Sequence, residues 1–214
     1  MPRTEHCRDE PFAPAGVVDH PCTRAQKRAW ILNQLHPGNP ALNVAVRWRI
    51  DGAVPTEAIE SAFLRVIARH DALRASFSEV DGEPRQVVHD DQVAFRLPEV
   101  HLTRLTPEAA AAEADRIAEL EARASFDLSS PPPLLRATRL CLHDGVSILL
   151  VTAHQLVFDA WSIGLLEREL DALCAAGGRP QGSRLPPLPV DYAAVAEEES
   201  RRAGSEPHAV DYWR

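Results

Sequence analysis

The chain has 214 residues, 45% of them hydrophobic, enough for one ample core or two small ones, and 23 Lys and Arg stand against 31 Asp and Glu for a formal charge of -8. That balance offers no basic footprint for a polyanion, so nucleic-acid binding is not expected. The longest apolar run, around VSILLVTA, is far short of the ~20 residues that a membrane span needs. The N-terminus, MPRTEHCRDEPFAPAG, lacks the apolar stretch of a secretory signal, so a cytoplasmic location is expected. Cys7, Cys22, Cys141 and Cys174 have no CxxC spacing, which suggests neither a zinc site nor a disulfide framework.

Residues 1–20 are polar, contain prolines and show no period, and are expected to be a disordered segment ahead of one domain spanning 21–214. TRAQKRAWILNQL (23–35) reads as a short helix, with Ala25, Ala29, Ile31, Leu32 and Leu35 at helical spacings and Pro37-Gly38 as its stop. NVAVRWRI (43–50) alternates, putting Val44, Val46, Trp48 and Ile50 on one face of a half-buried strand. In 55–70, Ile59, Phe63, Val66 and Ile67 form the stripe of an amphipathic helix, with Pro55 tolerated in the first turn.

Asp81-Gly82 marks a tight hairpin turn within 76–88, and Pro84 suggests that the second strand is an edge or irregular there. A strand is expected around 95–102 and a helix over 107–124, which is rich in Ala, Glu and Leu. Residues 134–142 and 146–154 read as a second hairpin about His143-Asp144-Gly145, and the latter strand is apolar on both faces, as a central strand would be. AWSIGLLERELDALCAAG (160–177) is a helix with Ile163, Leu166, Leu170 and Leu173 inward, and glycines end it. A linker-like stretch (177–189), a helix at DYAAVAEEESRR and the terminal AVDYWR complete the chain.

Several stretches, in order, resemble the condensation domains of nonribosomal peptide synthetases, members of the chloramphenicol-acetyltransferase-like fold. TRAQKRAWILNQL is similar to that family's opening motif, RHDALRASF (69–77) to its RHxxLRTxF, FDLSSPPPLLR to its FDL…GPLLR segment, and AHQLVFDAWS to its HHxxxDG signature. PVDYAAVA and the terminal YWR resemble the family's segment C-terminal to that signature. The resemblance implies an α/β two-layer sandwich, with a mixed, largely antiparallel sheet and helices packed on one face. It also implies an active-site tunnel between two such lobes, entered from both ends by phosphopantetheine arms of carrier proteins, with no cofactor bound directly. The chain has the length of the N-terminal lobe alone.

Aligned on HHxxxDG, His154 takes the first histidine, Gln155 the second, Asp159 the aspartate and Ala160 the glycine. The family's catalysis centres on that second histidine. An imidazole can take and return a proton near neutral pH, whereas a carboxamide can only hydrogen-bond, so a rate defect of ~10²–10⁴ is expected. His154 points to the opposite strand face and does not simply replace the lost base, and its plain reading is a core histidine bonded to backbone. The resemblance further implies that Asp159 pairs with Arg74, whose removal is then destabilising.

Glu197, Glu198 and Glu199 read as a solvated helix face. His89, His101 and His143 lack metal-ligand spacing, and the serines of SFSEV and AWSIG lack a nucleophile elbow, which argues against a serine hydrolase.

Two functions are compatible with these features. One is a non-catalytic module that binds peptidyl carrier proteins, another synthetase subunit or a tailoring enzyme. The other is an amide-forming acyltransferase whose tunnel is completed by a separate C-terminal lobe or by a homodimer. A third explanation is excision from a longer protein.

Overall fold

The structure is a computed structural model and describes residues 17–89, 93–175 and 185–203. The expectations for residues 1–16, for 177–184 of the linker and for the terminal AVDYWR lie outside the described residues. In chain order the elements are β1 (Val17–Pro21), α1 (Arg24–Leu35), β2 (Asn43–Ile50), α2 (Thr56–Arg69), β3 (Ala75–Val80), β4 (Glu83–His89), β5 (Glu99–His101), α3 (Pro107–Arg123), β6 (Leu135–Cys141), β7 (Ser147–His154), α4 (Ala160–Ala175) and α5 (Tyr192–Ala203).

These strands form two sheets, β1-β4-β3 and β2-β7-β6-β5, antiparallel throughout except for the parallel β5–β6 pair. The mixed, largely antiparallel α/β class expected from the sequence therefore stands. The expectation that helices pack on one face of the sheet is corrected. β7 sends Leu149, Val151 and Ala153 into a core shared with Ile59, Phe63, Val66 and Ile67 of α2 and Leu166, Leu170 and Leu173 of α4. Its alternate residues Ile148 and Leu150 pack with Ala110 and Ala114 of α3. Helices thus cover both faces of the larger sheet. That is why β7 is apolar all round, its central place between β2 and β6 leaving no face to water.

Two further expectations meet the structure. Residues 17–20, expected within a disordered segment, are corrected to strand: they pair with β4 from Val17↔His89 to Pro21↔Arg85. β4, expected at an edge or irregular at Pro84, is the middle strand of its sheet, but at Pro84 itself it has a neighbour on one side only. The proline is tolerated because β1 stops opposite Arg85, so no ladder partner on that side asks for the missing N–H. The Asp81-Gly82 turn is as expected: both residues have positive φ, 53° and 80°, as the two-residue hairpin turn that matches strand twist requires.

α1 forms with a capping box, in which the Thr23 side chain accepts from the Gln26 N–H and the Gln26 side chain accepts from the Thr23 N–H. The face it buries is Gln26, Ala29 and Trp30, while Ile31, Leu32 and Leu35 are 54%, 46% and 65% exposed. The helix is where the sequence placed it, but most of its apolar residues face outward.

Candidate functional site

The signature segment leaves the sheet at the end of β7. The Gln155 N–H donates to the Leu42 carbonyl at 2.8 Å, which continues the β2–β7 ladder one residue further. A turn closed by the Val157 N–H on the His154 carbonyl at 3.0 Å then carries the chain to α4. Alternation at this junction separates the two residues that matter. The His154 ring is 2% exposed and faces Phe126 edge-on at 6.1 Å, whereas Gln155 is exposed.

His154 Nδ1 accepts from the Leu156 N–H at 3.2 Å, so in the neutral ring the proton sits on Nε2, which has no partner among the described residues. Burial pushes the ring's pKa down from 6.5 to about 4. A base so placed is neutral at physiological pH, and its one lone pair is already committed to the backbone.

Gln155 borders a cavity of about 550 Å³ enclosed by α1, the 70–73 turn after α2, the signature loop, α4 and the segment entering α5. That size is typical of small-molecule sites. Most of the wall is apolar, and its titratable groups other than the exposed Arg28 are already engaged. His70 Nε2 lies 2.8 Å from Glu169 Oε2, and Glu169 Oε1 accepts from Arg69 Nε at 3.0 Å. Asp71 accepts from the Tyr192 and Ala193 N–H groups at 3.0 and 2.8 Å, holding the first turn of α5. Tyr192 Oη lies 3.2 Å from Thr23 Oγ1, and burial raises its pKa.

Asp159 also lines the cavity, but its partner differs from the one expected. Its carboxylate accepts from the Ser162 N–H at 2.8 Å and the Ser162 hydroxyl at 2.7 Å, which makes it the N-cap of α4. Arg74 Nη1 instead donates to the His89 carbonyl, binding the turn after α2 to the end of β4. The Arg74–Asp159 pair is corrected accordingly: an aspartate immediately before a helix satisfies an orphan N–H locally, with no need of a remote guanidinium. Ala160 is the first residue of α4.

Gln26 enters the sequence reading only as a letter in the opening motif. Buried at 2% exposure, its Nε2 donates to Gln86 Oε1 at 3.1 Å and to the Leu156 carbonyl at 3.2 Å, while Gln86 Nε2 donates to the Pro21 carbonyl at 2.9 Å. This amide relay ties α1, both strands of the β1–β4 pair and the signature loop together. Its one local signal was the position of Gln26 three residues after the N-cap Thr23, the capping-box spacing.

The glutamate run lies on a solvent-facing stretch of α5, as expected, and also makes surface ion pairs to the N-terminal elements, Glu197 with His20 at 2.7 Å and Glu199 with Arg24 at 3.7 Å. The other histidines have separate partners: His89 meets Ser76 Oγ at 2.8 Å and His143 meets the Leu105 carbonyl at 2.7 Å. His101 lies beside Glu99 and Cys141.

The condensation-domain family matches residues 18–214. Phosphinothricin tripeptide synthetase PhsC of Streptomyces viridochromogenes is 41% identical over 196 residues, a match covering 91% of this chain and 18% of that protein. The starter condensation domain of rhizomide synthetase RzmA superposes with a TM-score of 0.79 at 21% identity, over 92% of this chain and 47% of the other. The X-domain solved in complex with OxyB from teicoplanin biosynthesis gives 0.73 at 27% identity, over 92% and 41%. The chain thus spans about half the length of these solved structures. With the two sheets, the signature loop and the bordering cavity in place, this chain belongs to the condensation-domain family of nonribosomal peptide synthesis.

Proposed function

We propose that this chain acts in nonribosomal peptide assembly as a catalytically impaired condensation-type lobe that binds a carrier protein or a synthetase subunit. The observation that carries the reading is the pair His154–Gln155. The residue exposed at the cavity is an amide, and the neighbouring imidazole is sealed on the other side of the strand. Gln155 can orient a carbonyl or an amine by hydrogen bonds but has no proton to exchange near neutral pH.

The binding half of the proposal rests on surface. Leu32 and Leu35 of α1 and Trp161, 87% exposed in the first turn of α4, present apolar area beside the cavity, and surface of that kind marks association sites. The X-domain, of which this chain matches 41%, was solved in complex with OxyB, a precedent for a domain of related fold binding a second protein.

A second reading keeps amide formation: with a second lobe or a second copy completing the tunnel, the exposed Gln155 amide would hold carrier-bound substrates in register, and positioning alone supplies part of a condensation barrier. The two readings separate in one experiment. Phosphopantetheinylated carrier protein is titrated against the chain, and amide product is measured in parallel with the second lobe present. Saturable binding without product supports the module. Product formation lost in Gln155→Ala supports the transferase, and absence of binding to either carrier or second lobe contradicts both.

A further inference from the structure

Away from the cavity, at the edge of the larger sheet, strand register brings together three side chains that are far apart in sequence. The parallel β5–β6 pair sets His101 beside Cys141 and Glu99 beside Arg139, and Glu99 and His101 are two residues apart, so Glu99, His101 and Cys141 share one face. Cys141 Sγ lies 3.7 Å from Glu99 Oε1, and His101 Nε2 lies 3.7 Å from Glu99 Oε2. One donor atom from each falls within 4.8 Å of the others.

We propose that Glu99, His101 and Cys141 form a three-ligand zinc(II) site at the β5 edge. Tetrahedral zinc with bonds of about 2.0–2.3 Å places its ligand atoms about 3.3–3.6 Å apart; the Glu99 carboxylate already approaches that spacing to Cys141 through Oε1 and to His101 through Oε2, and a small rotation brings one oxygen to serve both. The set of imidazole, thiolate and carboxylate suits zinc rather than magnesium or calcium, which prefer oxygen alone. The carboxylate is oriented from behind. The Thr56 hydroxyl donates to Glu99 Oε1, and Arg139 Nη1 stands 3.7 Å from the same oxygen, the kind of outer contact that fixes a ligand's direction.

Arg139 is held back from the site by the Val54 carbonyl and the Thr56 hydroxyl, each at 2.7 Å from Nη1, and by Ser147 Oγ at 3.1 Å from Nε. Glutamate and thiolate together therefore present two negative charges to the ion against one restrained guanidinium. His143, two residues beyond Cys141, is occupied with the Leu105 carbonyl, which leaves the fourth position to water. Bound there, zinc clamps the three-residue strand β5 to β6.

Cobalt(II) titration of the chelator-washed protein tests this, because a thiolate ligand gives cobalt a near-ultraviolet charge-transfer band and tetrahedral geometry gives intense visible bands. The expected result is one equivalent of cobalt, displaced by zinc, with the thiolate band lost in Cys141→Ser. His101→Ala, at an exposed position that leaves folding intact, should weaken binding at least tenfold. Zinc should raise the melting temperature of the wild type and of neither variant. A thiolate band absent from the wild type, undiminished in Cys141→Ser, or unaffected in affinity by His101→Ala would overturn the proposal.

Discussion

The two walls that meet at the end of β7 are built differently. In the interior, α2 and α4 close a core in which Phe63 is 0%, Ile59 1%, Ile67 1% and Leu173 1% exposed. Toward the cavity, which Val66 and Leu166 of the same two helices also line, α1 and the start of α4 flank the signature loop and leave Leu32, Leu35 and Trp161 in solvent, while the lining groups His70, Asp71 and Asp159 are bonded to structural partners. Both walls come from amphipathic helices of similar length. Hydrophobic patterning says that a face is to be covered, and only one of these faces is covered by the described residues.

Variants can sharpen the contrast. Phe63→Ala in the α2–α4 core removes a fully buried ring stacked on Phe95 at 4.8 Å and should lower unfolding free energy by about 3–5 kcal/mol. Trp161→Ala at the exposed start of α4 should leave it within about 0.5 kcal/mol of wild type. Equal losses in chemical denaturation would break the comparison.

On the opposite face of β7 from Gln155, His154 makes stability depend on pH. Its folded pKa of about 4 lies below the ordinary 6.5, so the unfolded chain binds the proton more readily and stability falls as pH drops from 7 toward 4. Between pH 7 and 5 the loss from this group is about 2 kcal/mol. Denaturant titrations at those two pH values should show that difference shrinking in His154→Leu. An unchanged difference would mean that the ring is not held neutral by burial.

A smaller effect is expected at Asp159. As an N-cap with Ser162, its change to Ala should destabilise by about 1 kcal/mol, against the about 3–5 kcal/mol that breaking a buried ion pair would bring. A loss of the larger size would restore the guanidinium partner.

Much of the fold was legible because local signals and tertiary structure agree. The alternation of 43–50 gave β2 at its full extent, the Ile59–Ile67 stripe gave the buried face of α2, and Asp81-Gly82 gave the hairpin. Pro84 was read as marking an edge or an irregularity, and only the second holds: β4 is central, yet no β1 residue reaches Pro84, and which strand reaches it is a property of the sheet. The opening of the chain misled for the same reason: Val17–Pro21 has little apolar period of its own and is ordered by pairing.

At the site, the substitution at Gln155 was readable from one letter, and the opposite orientation of His154 came from strand alternation. The Gln26–Leu156 link and the grouping of Cys141 with Glu99 and His101 were not, because each joins residues that only the folded topology brings near.

The central claim is that the exposed amide at the cavity has displaced proton transfer. The direct measurement is the amide-forming rate of the wild type and of Gln155→His, each assembled with a second lobe and supplied with carrier-bound substrates across pH 6–8. The rate should rise ~10²-fold or more in Gln155→His, with a pH dependence that tracks the new imidazole. A wild type already as fast as Gln155→His, and abolished by Gln155→Ala, would contradict the claim.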